Sequence, residues 1–238
     1  MTHKRQSSTE PPGTPTAADL ARESGARSLT EVVYEQIRAD IIAARLRQGE
    51  KLLLSALQAR YGVSLSVVRE SLARLASDGL VIADPQRGFR ISAISREDLV
   101  DCMRTRIAIE GMALQLAIAK GDAAWQAKVE QAHDRLRNVS RQTDVVQWAA
   151  LHQQFHELLV APCGSPWLLR FRHTLFEQSE RYRNAAIHQT TMLNQAEVDA
   201  QHRALVDAVL QRNPAKAQFA MDVHLSATLE RALISLSL

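Results

Sequence analysis

Between Leu29 and Ile94 the hydrophobic period of the chain changes only once, and that change constrains the fold more than any other feature. "LTEVVYEQIRADIIAARL" places Val33, Ile37, Ile41 and Ile42 at helical spacing, behind Ser28 or Thr30 as capping residues. "RQGE", around Gly49, breaks that helix. "SALQARYGV" is a short second helix ending at Gly62, a residue that readily takes the left-handed conformation that stops helices. "SLSVVRESLARLASDG" is a third helix, opened by Ser64 or Ser66, striped by Val68, Leu72 and Leu75, and stopped at Gly79. The period then drops to two in "LVIADPQRGFRISAI", around a Pro-Gln-Arg-Gly turn, which signals a β-hairpin. Three helices and then a hairpin, with the short turn "RYGVS" between the second and third helices, is the element order of a winged helix-turn-helix. A plain helical module with an attached hairpin has the same order, and spacing alone does not separate the two.

Beyond Ser95 the apolar spacing is helical almost throughout. Six amphipathic segments follow, interrupted at Gly121, at "PCGSP" and at "RNPA", and six helices suffice for a self-contained bundle. Only nine glycines and 5% aromatic residues accompany this helical pattern. The expected architecture is therefore mainly α: a tail over residues 1–27, a winged helix-turn-helix over 28–94 and an all-helical bundle over 95–238. The tail, with its "TEPPGTPT" cluster, is expected to be disordered.

Composition narrows the function classes. No apolar run approaches the ~18–20 residues of a membrane span. The polar, Pro-rich start is not a signal peptide, and Cys102 and Cys163 make no disulfide framework, which suits a reducing cytoplasm. The net charge of +3 lies wholly within the first 94 residues, a mild basic bias compatible with phosphate contact.

Histidines carry the chemistry of the second half. "LHQQFHELL" sets His152 and His156 four apart on one helix face. His202 in "DAQHRAL" and His224 in "MDVHLSA" lie beside the apolar stripes of two later helices. If these three helices pack together, four imidazoles converge, and neutral imidazoles are good ligands for Zn²⁺ and Ni²⁺. Hydrogen-bonded core histidines are the other reading. A catalytic pair is disfavoured, because "HQQFH" lacks the glutamate of a HExxH metalloprotease, and no GxSxG elbow, P-loop or GxGxxG is present. A metal-dependent enzyme with an N-terminal association module is the alternative class, and these absences weigh against it.

Taken together, "VVYEQIRADIIAARLRQGEKL", "YGVSLSVVRESLARLASDGLV", "RGFRIS", "RTRIAIEGMALQLA", "FHELLVAPCGSPWLL", "QHRALVDAV" and "AMDVHL" resemble the GntR superfamily of bacterial transcription regulators. The resemblance covers about residues 29–235 and is to the FadR-like branch, whose second half is an FCD effector domain. It implies a divalent metal held through an Asp-x-x-Phe-His segment and two later histidines. The matching residues are His152, in place of the aspartate, then His156, His202 and His224. A His-for-Asp exchange keeps a donor atom but removes a negative charge. Arg106 and Glu110 match the family's Arg-x-x-x-Glu. Arg106 is a candidate anchor for an effector carboxylate, or else half of an i, i+4 packing pair. Trp148, Trp167, Arg170 and Tyr182 are candidates for the pocket wall, or simply core.

In the recognition helix the family's Ser-Arg-Thr-Pro-Val-Arg-Glu-Ala-Leu is here Ser-Leu-Ser-Val-Val-Arg-Glu-Ser-Leu. Leu65 stands where arginine is usual, and an arginine on a guanine edge contributes ~1–3 kcal/mol of discrimination. The resemblance assigns Ser64, Leu65, Ser66, Arg69 and Arg74 to DNA contact, with Arg87, Gly88 and Arg90 in the wing, although Arg90 also reads as a solvated strand residue. The expected protein is a cytoplasmic regulator, a repressor rather than an enzyme, binding double-stranded operator DNA. It would answer to a small carboxylate effector held near a divalent metal, Zn²⁺ or Ni²⁺. Because one recognition helix reads only a few base pairs, paired half-sites call for a homodimer.

Overall fold

A computed structural model describes residues 28–140, 143–187 and 194–236. The expected tail over 1–27, and His188, lie outside the described residues. The chain falls into two compact units. The first runs to Ala93, except for Ile42–Ala44, which belong with the second unit, Ile94 onward.

The first unit contains α1 (Leu29–Ile42), β1 (Lys51–Leu52), α2 (Leu54–Tyr61), α3 (Leu65–Ser77), β2 (Val81–Asp84) and β3 (Gly88–Ile91). Ser28 caps α1, its Oγ accepting from Glu31 N–H at 3.2 Å. Gly62 ends α2 at φ 66°, the left-handed conformation expected there. Ser64 is the N-cap of α3, but its hydroxyl makes no capping bond and pairs with Ser66 Oγ at 2.9 Å. The wing is antiparallel, with Ile82 opposite Arg90 and Ala83 opposite Phe89. β1 adds a third strand on the far side of β3, Lys51 opposite Arg90, giving the order β1-β3-β2.

That strand was not expected, since two residues are too few to show a period. Helix α1 also ends at Ile42, the last residue of its apolar stripe, ahead of the break expected around Gly49. Its final turn is closed by Asp40, whose backbone oxygen accepts from Arg45 and Leu46 N–H and whose carboxylate takes Arg45, Arg60 and the Tyr61 hydroxyl. The core beneath is Val33, Ile37, Ile41, Leu57, Val68, Leu72, Leu75 and Ile91, all buried. At ~1.5–3 kcal/mol for each fully buried aliphatic side chain, this stripe, rather than helix propensity, holds three short helices in place.

The second unit is all-helical among the described residues: α4 (Arg96–Lys120), α5 (Ala123–Arg137), α6 (Val145–Val160), α7 (Pro166–Ile187), α8 (Gln195–Leu210) and α9 (Pro214–Ser235). A single 3-10 turn, Ala161–Cys163, follows α6. Five of the starts carry a side-chain cap. Ser95, Asp122, Asp144, Asn194 and Asn213 accept from the N–H groups of Asp98, Trp125, Gln147, Ala196 and Lys216. The core runs through Met103, Leu114, Val129, Phe155, Leu159, Leu205, Val206, Met221 and Leu225. Packing α6, α8 and α9 on this core sets the inner flank of each toward the same space. The mainly helical fold with a hairpin wing and six-helix second half is the one expected from the sequence.

Candidate functional site

Helix α6 presents His152 and His156 one turn apart, α8 presents His202 and α9 presents His224. All four are buried. Their ring centroids lie 4.6–6.5 Å apart, and one ligand atom from each falls within 4.8 Å of every other. The condition set by sequence spacing, that the three helices pack together, is met.

Each imidazole is oriented differently. His224 Nδ1 donates to Gln201 Oε1 at 3.1 Å, which leaves its lone pair on Nε2. His152 lies against the Trp148 ring, 4.6 Å between centroids and 18° from parallel. Its Nδ1 accepts from Arg183 Nη1 at 3.1 Å. His156 is fully buried, and neither of its ring nitrogens has a hydrogen-bond partner. Orphaned polar nitrogens cost several kcal/mol unless a ligand takes them. Burial holds His152 and His156 well below the ordinary histidine pKa, reinforced by Arg183 at His152 and by His224 and His202 at His156. Neutral imidazole is the form that ligates metal, so this donor set fits a divalent ion.

A buried charge network borders the histidines. Glu110 accepts from Arg172 Nε through both oxygens, at 3.1 and 3.0 Å, and its Oε1 lies 3.5 Å from Arg106 Nε. Arg106 Nη1 donates to Ser179 Oγ at 2.6 Å, and its guanidinium covers the Phe176 ring. Arg183 pairs with Glu180 and lies over Trp148. Arg106, the candidate effector anchor, is buried beside the histidines and makes the packing pair with Glu110 that was its other reading. Of the wall candidates, Trp148 reaches the histidines. Trp167 and Arg170 stack on each other at the surface, and Tyr182 donates to Asp98. Sequence reasoning missed Arg172, Ser179 and Arg183. With Phe176 they recur at i, i+4, i+7 and i+11 along α7, a stripe masked by the other arginines of that helix.

In the first unit, Ser64, Leu65, Ser66 and Arg69 are exposed on the opening turns of α3. Polar contacts that hold α3 on α1 include Thr30 Oγ1 to Glu70, Ser71 Oγ to Thr30 O, Arg74 to Glu31, and the Tyr34 hydroxyl to Asp78 at the end of α3. Arg74 also covers the Tyr34 ring at 4.2 Å, so its charge is engaged within the unit. Arg87 and Gly88 stand exposed at the hairpin tip, where Gly88 has φ 90°. Arg90 is exposed on β3 and donates to Gly49 O at 2.9 Å.

A winged helix-turn-helix with an exposed third helix, joined in one chain to an all-helical unit, defines a two-unit class of DNA-binding regulator. Two family models match: "Bacterial regulatory proteins, gntR family" over residues 29–91 and the FCD domain over residues 101–227. The chain belongs to the gntR family of transcriptional regulators and carries its FCD domain. It is 37% identical to the HTH-type transcriptional regulator BphR of Paraburkholderia xenovorans, over 85% of this chain and 84% of that protein. It is 35% identical to the HTH-type transcriptional repressor GlaR of Escherichia coli, over 81% and 90%. In fold it is similar to McbR/YncC of E. coli, with TM-score 0.76, 19% identity, and 89% and 100% of the two chains covered. The protein is a DNA-binding transcriptional regulator and not an enzyme. Among the described residues no helix is long and apolar enough to cross a membrane.

Proposed function

We propose that this regulator is a cytoplasmic homodimeric repressor whose operator binding is controlled by a small organic acid held near a divalent metal. One observation carries the reading: four buried histidines from three helices bring their ligand atoms within 4.8 Å of one another. His152, His156, His202 and His224 would hold the ion. An all-nitrogen set favours Zn²⁺ or Ni²⁺ over oxygen-seeking cations. When bound, the ion supplies a positive centre that draws a carboxylate oxygen. With histidine at 152 all four donors are neutral, so none of the ion's charge is cancelled by its ligands. Arg106, Arg172 and Arg183 stand against Glu110 and Glu180 in the adjoining network, an excess of positive charge that favours an acid ligand, with Arg106 as candidate anchor.

In the first unit, Ser64, Leu65, Ser66 and Arg69 would read base edges, with Leu65 placed to meet a thymine methyl. Arg87, Gly88 and Arg90 would follow the backbone from the wing. Arg74, tied to Glu31, would act by fixing the angle of α3. Two half-sites about one helical turn apart require two copies of α3, hence the dimer. The effector controls binding only if it favours one of two dimer states, DNA-competent or incompetent, over the other. The relative GlaR is named a repressor, which supports that sign of regulation. A gel shift on the DNA flanking the gene tests the reading. The expected result is binding that weakens with salt and is weaker in Arg69→Ala. No binding at low salt, with or without Ni²⁺, would overturn it.

A further inference from the structure

The hydrogen bond between Arg183 and His152 imposes a condition that the four-histidine cluster alone does not. A guanidinium has donors only, so Arg183 Nη1 donates and His152 Nδ1 accepts across their 3.1 Å contact. A neutral imidazole has one protonated nitrogen and one nitrogen with an in-plane lone pair. With Arg183 in place the lone pair is on Nδ1 and the proton on Nε2. A metal ion needs that same lone pair. An ion on Nδ1 displaces the guanidinium directly. An ion on Nε2 forces the proton onto Nδ1, where it faces the Arg183 N–H, donor against donor. Either way, one bond excludes the other.

We propose that Arg183 and the metal compete for the single lone pair of His152, and that loading the metal turns Arg183 toward an anion. The inference rests on the metal reading above and adds a regulatory coupling to that site. Arg183 stays nearby when displaced, because Glu180 pairs with it and the Trp148 ring supports it at 5.2 Å. Its Nε is already buried without a hydrogen-bond partner. Release of Nη1 leaves N–H groups at Nη1 and Nε, on either edge of the guanidinium, each able to donate to an anion's oxygen. Arg172, in the same network, has a buried Nη2 that is likewise without a partner. Metal and anion therefore bind with positive coupling, and by linkage each strengthens the other by the same factor.

Calorimetric titration of Ni²⁺ into chelator-stripped full-length protein tests the competition, using wild type, Arg183→Met, His152→Ala and the double variant. Arg183→Met is expected to bind Ni²⁺ about tenfold more tightly than wild type, the weight of one charge-assisted hydrogen bond removed from the competitor. In the His152→Ala background the same change is expected to do little, because the contested lone pair is gone. An equal gain in both backgrounds would mean simple charge repulsion and overturn the competition. Unchanged or weaker Ni²⁺ binding in Arg183→Met would overturn it as well. If circular dichroism shows that the Met variant does not fold, Arg183→Gln, which keeps a polar partner for Glu180, carries the same comparison. Wild type that takes up no Ni²⁺ overturns the metal reading itself, a separate and recognisable failure.

Discussion

Replacing Glu110 by glutamine removes the one carboxylate between two buried guanidiniums while keeping the side chain's volume. Glu110 is fully buried, and it takes Arg172 through both oxygens at 3.1 and 3.0 Å, with Arg106 at 3.5 Å. In Glu110→Gln one acceptor becomes an amide donor pointed at a guanidinium. Breaking a buried ion pair by removing one partner costs about 3–5 kcal/mol, since the survivor stays desolvated. Here two cations survive, which puts the expected loss in the upper part of that range. Domains are stable by only about 5–15 kcal/mol in total, so the variant retains a modest fraction of its stability. Urea unfolding followed by far-ultraviolet circular dichroism measures the loss as a lower midpoint at unchanged slope. Arg74→Ala, which breaks the half-exposed pair with Glu31, is the control and should cost about 1 kcal/mol or less. If Glu110→Gln cost no more than that control, water would be reaching the network, and the account of a dry, positively charged wall beside the histidines would be wrong.

Other consequences follow from the same contacts. Because His152 and His156 are held neutral by burial, the unfolded chain takes up protons near pH 6.5 while the folded chain does not. Stability of the metal-stripped protein should be fully present above that pH and fall below it, by up to about 2.7 kcal/mol per pH unit for the two groups, as read by denaturation across pH. Arg69→Ala should reduce the salt dependence of operator binding or relax its sequence preference, whereas Arg74→Ala should lower stability slightly and leave the salt slope unchanged; binding titrations at several salt concentrations separate them. Burial pushes the Cys102 thiol up to about 11, and Cys163 is fully buried, so a colorimetric thiol assay near neutral pH should find both slow in the native protein and both reactive once it is unfolded.

The sequence revealed most where periodicity is strong. The stripes of α1 and α3, the terminating Gly62 and the period-two wing defined the first unit, and the Gly121, "PCGSP" and "RNPA" interruptions defined the helices of the second. Short or non-local features were hidden. β1 is two residues long, and the early end of α1 depends on Asp40 meeting Arg45, Arg60 and Tyr61, contacts that chain spacing does not encode. The histidines were legible because each sits beside an apolar stripe. Arg172 and Arg183 were not, because α7 carries several arginines and only packing decides which of them turn inward. The engagement of Arg74 by Glu31 and Tyr34 was likewise invisible, since its partners lie forty or more residues away.

The proposed response of this regulator depends on the four histidines of the helical unit forming a metal centre. Elemental analysis of wild type and His156→Ala, both equilibrated with Zn²⁺ or Ni²⁺ and freed of excess, tests it most directly. His156 is the informative choice, because neither of its buried nitrogens has a protein partner to lose. The expected result is one equivalent of metal per wild-type chain and a large loss in the variant. Equal, near-zero metal in both proteins would contradict the account and return the cluster to the status of core histidines.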